Sequence, residues 1–400
     1  MIKIEIPQPA REIISALENA GFEAYVVGGS VRDAIRGIEP DDWDICTSAT
    51  PDQMRQALSD FSMYPSGEKY GTMTVMIDEQ PYEVTSFRAD SEKSDGRRPE
   101  KCTFGVSLRE DLARRDFTIN AMAYNDSKGL VDPFGGHEDL MDGIIRAVGN
   151  PVDRLVEDGI RLARAIRFSM VNNFEIEPSL WSAILENQYM MEHVSVERYV
   201  KEFKKILKHG DFSREDELAV FLSWLKVYDI ELSSIAIDWG TIKNLGGDFP
   251  KIVAAMIYEN GYDETYAATI AQNLRFENSD KKQIVDFVYI MVWWPTTKVS
   301  LKSAMSKVEI ESVNYFIEYL NASGRYFHAK SIENFLYEIK IWCEPFRVSH
   351  LAINGNDVVK RFGLSGRGIG DALRIALRLV IYEPNKNDKK VLMEFLENNL

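Results

Sequence analysis

The sequence predicts an α+β protein in which a mixed sheet with helices over residues 1–147 is followed by an all-α remainder. Strand-like runs alternate with helical periodicity as far as residues 144–148, whereas beyond Pro151 the strand signals fade and long helical patterns take over. The most informative stretch lies early, at residues 24–46, where an apolar run enters Gly28-Gly29-Ser30, a short helix follows, and Asp42-Trp43-Asp44 comes next.

Taken in order, residues 24–27 read as a buried strand, Gly28-Gly29-Ser30 as a tight turn, and residues 31–36 as a helix stopped by Gly37. A strand that feeds a helix through two glycines presents backbone N–H groups to a phosphate with no Cβ in the way, and Arg32 could meet that phosphate bidentately. Strand alternation would put Asp42 and Asp44 on one face. Adjacent carboxylates repel unless a cation joins them, and hard oxygen ligands suit magnesium. A phosphate cradle followed by a metal pair is the layout of phosphoryl transfer.

Further along, residues 51–58 read as a helix starting at Thr50, and residues 72–77 and 82–87 as paired strands across Asp78-Glu79-Gln80-Pro81. Glu83 could face the aspartates as a third carboxylate, although an exposed strand position is the simpler reading. Residues 88–103 are polar and aperiodic, with Gly96 and Pro99 as hinges, and are expected to form a mobile loop. Residues 108–123 read as helical, carrying Arg114-Arg115-Asp116 and Asn120. Asp132-Pro133-Phe134-Gly135-Gly136 reads as a turn, and residues 144–148 close the first domain.

Residues 157–168 read as one helix with Asp158, Arg161, Arg164 and Arg167 three apart, so that adjacent members are neighbours on its surface. An ion pair between Asp158 and Arg161 on a solvated face is one reading. The other is base recognition: cytosine and adenine both offer an exocyclic amine beside a ring-nitrogen acceptor, matching aspartate and arginine, whereas uracil and guanine offer the reverse.

Composition narrows the class. Four hundred residues allow two to four domains, and neither a signal peptide nor an apolar membrane span is visible, so a soluble cytoplasmic protein is expected. Three scattered cysteines and five histidines show neither a disulfide framework nor metal-ligand spacing. A formal charge of −15 argues against nonspecific capture of long polyanions, yet the basic residues cluster at positions 97–115, 154–167 and 347–378.

Gly28-Gly29-Ser30-Val31-Arg32-Asp33, Asp42-Trp43-Asp44, Arg114-Arg115-Asp116, Asp132-Pro133-Phe134-Gly135-Gly136 and Glu157-Asp158-Gly159-Ile160-Arg161 stand in the order and rough spacing of a known family. By these motifs the chain resembles the bacterial class II tRNA nucleotidyltransferases, or CCA-adding enzymes, of the polymerase-beta-like nucleotidyltransferase superfamily. The likeness extends to Val194-Ser195-Val196-Glu197-Arg198, and more faintly to residues 353–357. It implies a catalytic head (1–147), a nucleotide-selecting neck (148–210), a helical body (211–330) and a tRNA-binding tail (331–400). It implies magnesium on Asp42 and Asp44, and triphosphate held by Gly28, Gly29 and Arg32. Arg114, Arg115, Asp116 and Asn120 would meet triphosphate or ribose, Asp158 and Arg161 would select the base, and Arg164 and Arg167 would contact the nucleotide. The partners implied are tRNA, CTP and ATP, with no membrane and no obligate protein partner; Lys360, Arg361 and Arg367 would meet tRNA phosphates.

Four rival readings differ in what they require. A bacterial poly(A) polymerase usually follows its metal strand with a basic Gly-Arg-Arg-Phe-like segment, where this chain has Tyr64-Pro65-Ser66-Gly67-Glu68-Lys69-Tyr70-Gly71-Thr72. CC-adding relatives typically shorten the loop that is complete here, while an A-adding enzyme is not separated by length. A pure RNA-binding protein has no use for two repelling carboxylates. A small-molecule nucleotidyltransferase would need neither the Asp-Arg reader nor a long helical tail.

Overall fold

The computed structural model describes residues 2–91 and 101–400. The chain divides into two compact units, Met1–Val227 and Tyr228–Leu400, with the division inside the segment that the family resemblance assigns to the body.

The first unit begins with α1 (Gln8–Asn19), which buries Ala10, Ile13, Ile14 and Leu17 along one stripe at helical spacing. Next come β1 (Ala24–Val27), α2 (Gly29–Ile35), β2 (Ile45–Thr47) and α3 (Pro51–Ala57), the last opened by a Thr50–Gln53 capping box. Strands β3 (Ser62–Gly67), β4 (Thr72–Ile77) and β5 (Gln80–Ser86) follow, then β6 (Arg88–Ser91) and β7 (Lys101–Phe104). Asp78 and Glu79, both at positive φ, make the tight β4–β5 turn. After α4 (Leu108–Ala113), β8 (Ala123–Asn125) and β9 (Gly129–Val131) complete a seven-stranded sheet of order β3-β4-β5-β2-β1-β8-β9. Only β2 and β5 run parallel, in register Ile45 opposite Val84; the other pairings are antiparallel. Tyr25, Val27, Cys46, Phe87, Leu112 and Ala123 anchor a buried cluster of the sheet, with β1 and β2 at its centre.

Four sequence expectations change. Strand β2 starts at Ile45, so Asp42 and Asp44 lie on the approach to it; the Asp44 carbonyl already accepts the Val27 N–H at 3.0 Å. Residues 88–103 do not form one aperiodic loop, because β6 and β7 pair from Arg88–Phe104 to Ser91–Lys101; the tip, with Gly96 and Pro99, lies outside the described residues. Residues 108–123 are not one helix. Leucine, alanine and arginine favour one there, but α4 ends at Ala113 with Arg114 as its cap, Asp116 accepts the N–H of Phe117, and a 3-10 turn at Thr118–Asn120 leads into β8. Residues 157–168 are also broken. α6 (Pro151–Glu157) stops at Asp158, which is extended at φ −157° and ψ 106°, and α7 (Ile160–Asn172) begins after Gly159. A Cβ on Gly159 would lie 2.4 Å from the Met190 carbonyl oxygen, so the chain crosses there by lacking a side chain.

The rest of the unit holds a two-residue parallel pairing of Ile144–Ile145 with Glu175–Ile176, then α8 (Pro178–Glu186), α9 (Val196–His209) and α10 (Glu215–Ser223). Tyr199, Phe203 and Ile206 bury α9 along α7. The second unit is helical among its described residues. Its helices Gly355–Phe362, Arg367–Tyr382 and Lys389–Glu397 close around Val358, Ala376, Val380, Leu392 and Leu396. No helix among the described residues is long and apolar enough to cross a membrane.

Candidate active site

The β1–α2 turn places the first group. Gly28 has φ 79° and ψ −126°, and its N–H donates to the Met122 carbonyl at 3.1 Å, so it is not a free donor for a phosphate. The missing side chain matters more, because a Cβ here would stand 2.7 Å from Nη1 of Arg115. One turn along, Arg32 donates Nε and Nη2 to Asp33 at 2.8 and 2.7 Å and Nη1 to Oδ1 of Asn120 at 2.6 Å. Three of its five N–H groups are thereby fixed before any ligand arrives.

Beside this turn stand the two aspartates. Asp42 is exposed and Asp44 half-buried. Burial, then the charge of Asp42, push the Asp44 carboxyl up to about 6; Arg115 works against this and Glu83 adds to it. Glu83 is exposed on β5, one residue before the Val84 that pairs with Ile45, so it neighbours Asp44 across the parallel ladder. Among the described residues no three His, Cys, Asp or Glu side chains enclose a metal by themselves. Two neighbouring carboxylates that form no salt bridge among the described residues nevertheless fit a hard divalent ion that takes its other ligands from water and phosphate oxygens.

Beyond α4 the carboxylates behave in the opposite way. Asp111, 1% exposed, accepts from Arg114 Nε at 3.0 Å and lies 3.6 Å from Nη2 of Arg115. Asp116 is buried, accepting from the Phe117 N–H and Asn120 Nδ2 on one oxygen and from Arg164 Nε at 2.7 Å on the other. Burial alone would raise its carboxyl, but Arg164 and the Asn120 hydrogen bond outweigh it and hold the group well below the usual carboxylate range. Arg167, also buried, donates to Glu202 at 2.5 Å, and burial draws its pKa down to about 10 despite that partner. The guanidinium groups of Arg32, Arg164 and Arg167 gather around the ring of Phe168, at 5.0, 5.4 and 3.6 Å from its centroid.

The last group corrects the expected ion pair. The Arg161 N–H donates to the Asp158 carbonyl at 3.0 Å, but the two side chains pair elsewhere. Asp158 accepts two bonds from Arg198, at 2.9 and 2.7 Å, while Arg161 donates to Glu157 and to the carbonyls of Arg154 and Arg114 at 2.7, 2.7 and 2.9 Å. With α7 beginning only at Ile160, the three-residue stepping holds for the arginines and not for Asp158.

Arg32, Asn120, Asp116 and Arg164 are therefore joined in one hydrogen-bonded chain, Arg114 and Arg115 share Asp111, and the charge of Arg115 acts on Asp44. In the second unit Arg361 pairs with Glu397, and Lys360 and Arg367 are exposed. Sequence reasoning missed Asp111, Phe168 and Glu202. Glu202 had a signal: it falls between Tyr199 and Phe203 on the apolar stripe of α9, where a carboxylate must find a cation.

Comparison with known proteins gives a consistent picture. Residues 24–146 match the poly A polymerase head domain model, and residues 173–218 the model of a probable RNA- and SrmB-binding site of polymerase A. The CCA-adding enzyme of Geobacillus sp. (strain WCH70) is 34% identical over 402 residues, covering 97% of this chain and 96% of its own length. That of Limosilactobacillus fermentum is 32% identical, again over 97% of this chain and 96% of its own. The crystal structure of the Bacillus stearothermophilus CCA-adding enzyme in complex with CTP superposes with a TM-score of 0.74 at 28% identity, covering 98% of both chains. With a mixed-sheet head followed by helices and full-length identity above 30%, the chain belongs to the CCA-adding enzyme family.

Proposed function

We propose that this protein adds C, C and A in turn to the 3′ end of tRNA, taking CTP and ATP and releasing pyrophosphate without a nucleic-acid template. The observation that carries the reading is the Asp42–Asp44 couple, without a salt bridge among the described residues, set beside a pre-oriented arginine network in a chain similar along its whole length to CCA-adding enzymes.

In this reading Asp42 and Asp44 hold magnesium, two ions in the usual scheme, with Glu83 lending charge. When bound, the metal supplies Lewis-acid activation of the tRNA 3′-hydroxyl and offsets charge on the departing pyrophosphate. The chain's own residues orient the reactants. Arg32, held by Asp33 and Asn120, presents its remaining donors to the triphosphate, with Gly29 giving close approach. Arg114 and Arg115, held by Asp111, bind triphosphate or ribose, and Asp116 keeps Asn120 and Arg164 in place. Asp158 accepts from the exocyclic amine of cytosine or adenine and Arg161 donates to the ring nitrogen, so UTP and GTP meet mismatched partners. Arg164 and Arg167 contact the nucleotide. The hydroxyl attacks the α-phosphorus directly, and no covalent enzyme intermediate is needed.

We assign residues 1–147 to the catalytic head, 148–210 to the neck, 211–330 to the body and 331–400 to a tRNA-binding tail, in a cytoplasmic enzyme. The test uses two tRNAs, one lacking CCA and one ending in CC, each given CTP and ATP with magnesium, and the products are sequenced. Completion of both is expected. Extension of the CC-ended tRNA alone would make the enzyme A-adding, and homopolymer tails would make it a poly(A) polymerase.

A further inference from the structure

We infer that Arg198 is a positioning residue for base selection, fixing the carboxylate of Asp158 in the orientation from which it accepts the exocyclic amine of the incoming nucleotide. This presupposes that Asp158 and Arg161 read the base. Asp158 does not sit on a helix. It occupies the extended break between α6 and α7, so no helical backbone dictates where its side chain points. Its bond to the Ile160 N–H is 3.4 Å long, too weak to hold a carboxylate in one plane.

Arg198 supplies what the backbone does not. It lies in the first turn of α9, a 14-residue helix anchored by buried Tyr199, Phe203, Ile206 and Leu207. Its guanidinium meets Asp158 fork to fork, Nη1 to Oδ1 at 2.9 Å and Nη2 to Oδ2 at 2.7 Å. A carboxylate has about four acceptor positions, and this fork takes one on each oxygen, leaving acceptor capacity for an amine donor. The plane of the carboxylate, and so the direction of its remaining lone pairs, is set by Arg198. Arg161 is fixed separately, by the carbonyls of Arg154 and Arg114 and by Glu157. The two halves of the reader thus have independent anchors, and removing one should loosen only that half.

The test compares wild type with R198Q, R198K, D158A and the D158A/R198Q double variant, measuring kcat/KM for CTP and for UTP on tRNA lacking CCA, with thermal unfolding run alongside. R198Q is expected to reduce the CTP-to-UTP preference about tenfold, the lower range of one lost base contact. R198K, which keeps the charge but not the fork, should lose about threefold. D158A/R198Q should show the same preference as D158A alone, because Arg198 acts only through Asp158. A merely structural arginine would slow CTP and UTP equally; if R198Q and R198K keep the wild-type preference while D158A loses it, the positioning role is overturned and the base reader stands. If D158A itself keeps the preference, the base-reading assignment fails and the role of Arg198 with it. Should R198Q fail to fold, R198K compared with D158A decides the same question.

Discussion

Two groups of carboxylates in the first unit lie within one connected site and are treated in opposite ways. At the β2 approach, Asp42 and Asp44 form no salt bridge among the described residues, and burial with the charges of Asp42 and Glu83 raises the Asp44 carboxyl to about 6. At the α4–α9 network, Asp111, Asp116, Asp158 and Glu202 each have an arginine, and Asp116 is held far down. Burial disfavours charge in both places, so what differs is compensation. In the proposed function the first group takes its cation from outside the chain, while each carboxylate of the second already has its arginine.

The comparison breaks most sharply if the uncompensated pair is dispensable. Asp42→Ala or Asp44→Ala is expected to reduce nucleotide addition at least about a thousandfold, while tRNA affinity stays within a few-fold. An incorporation assay beside filter binding measures both. Substantial addition by either variant with magnesium would remove the metal assignment.

The compensated group should show its role in stability. Asp116→Asn removes the charge facing Arg164 and is expected to cost about 3 kcal/mol at pH 7, at the low end for a broken buried pair because Arg164 keeps some solvent contact. The folded-state pKa of Asp116 is depressed, so its stabilisation is fully present above the unfolded value of about 3.9 and is lost as pH falls below it. Urea unfolding of wild type and variant should therefore differ at pH 7 and converge below pH about 4.

How far the site could be read from the sequence follows the same division. The strand, glycine turn and helix at residues 24–35 are local features, carried by an apolar run and two glycines, and they stand almost as expected, whereas the aspartates precede the strand that was expected to carry them. Asp158 was identified, but its partner was not, because Arg198 is 40 residues away and the helix that appeared to join Asp158 to Arg161 is broken where Gly159 passes the Met190 carbonyl. Arg114-Arg115-Asp116 was read as helical because propensity is local, whereas the end of α4 is set by the Asp116 side chain and by burial of Phe117 and Ile119. The mostly helical character of the remainder was legible from periodicity, but the short strand Glu175–Ile176 was not. The boundary between compact units was not, since it depends on which helices pack together.

The smallest effect sharpens the comparison most, because it separates charge from chemistry. In metal-free protein the folded-state pKa of Asp44, about 6, lies above its unfolded value of about 3.9. The folded state then binds the extra proton between those values, so this group makes the protein less stable as pH rises from about 4 to about 6, with no further change above. Asp44→Asn cannot ionise and escapes the penalty. At pH 7 in EDTA it should be more stable than wild type by about 2 kcal/mol, a figure reduced from the full shift for partial solvent access, and at pH 4 the two should be nearly equal. Magnesium should restore wild type towards the variant and leave the variant unchanged, since only wild type has the full carboxylate pair. Asp42→Asn should remove part of the same penalty and Glu83→Gln a smaller part, following the order in which their charges act on Asp44. If urea midpoints of wild type and Asp44→Asn instead move in parallel across this range, the aspartates are already compensated within the chain and the contrast between the two groups does not exist.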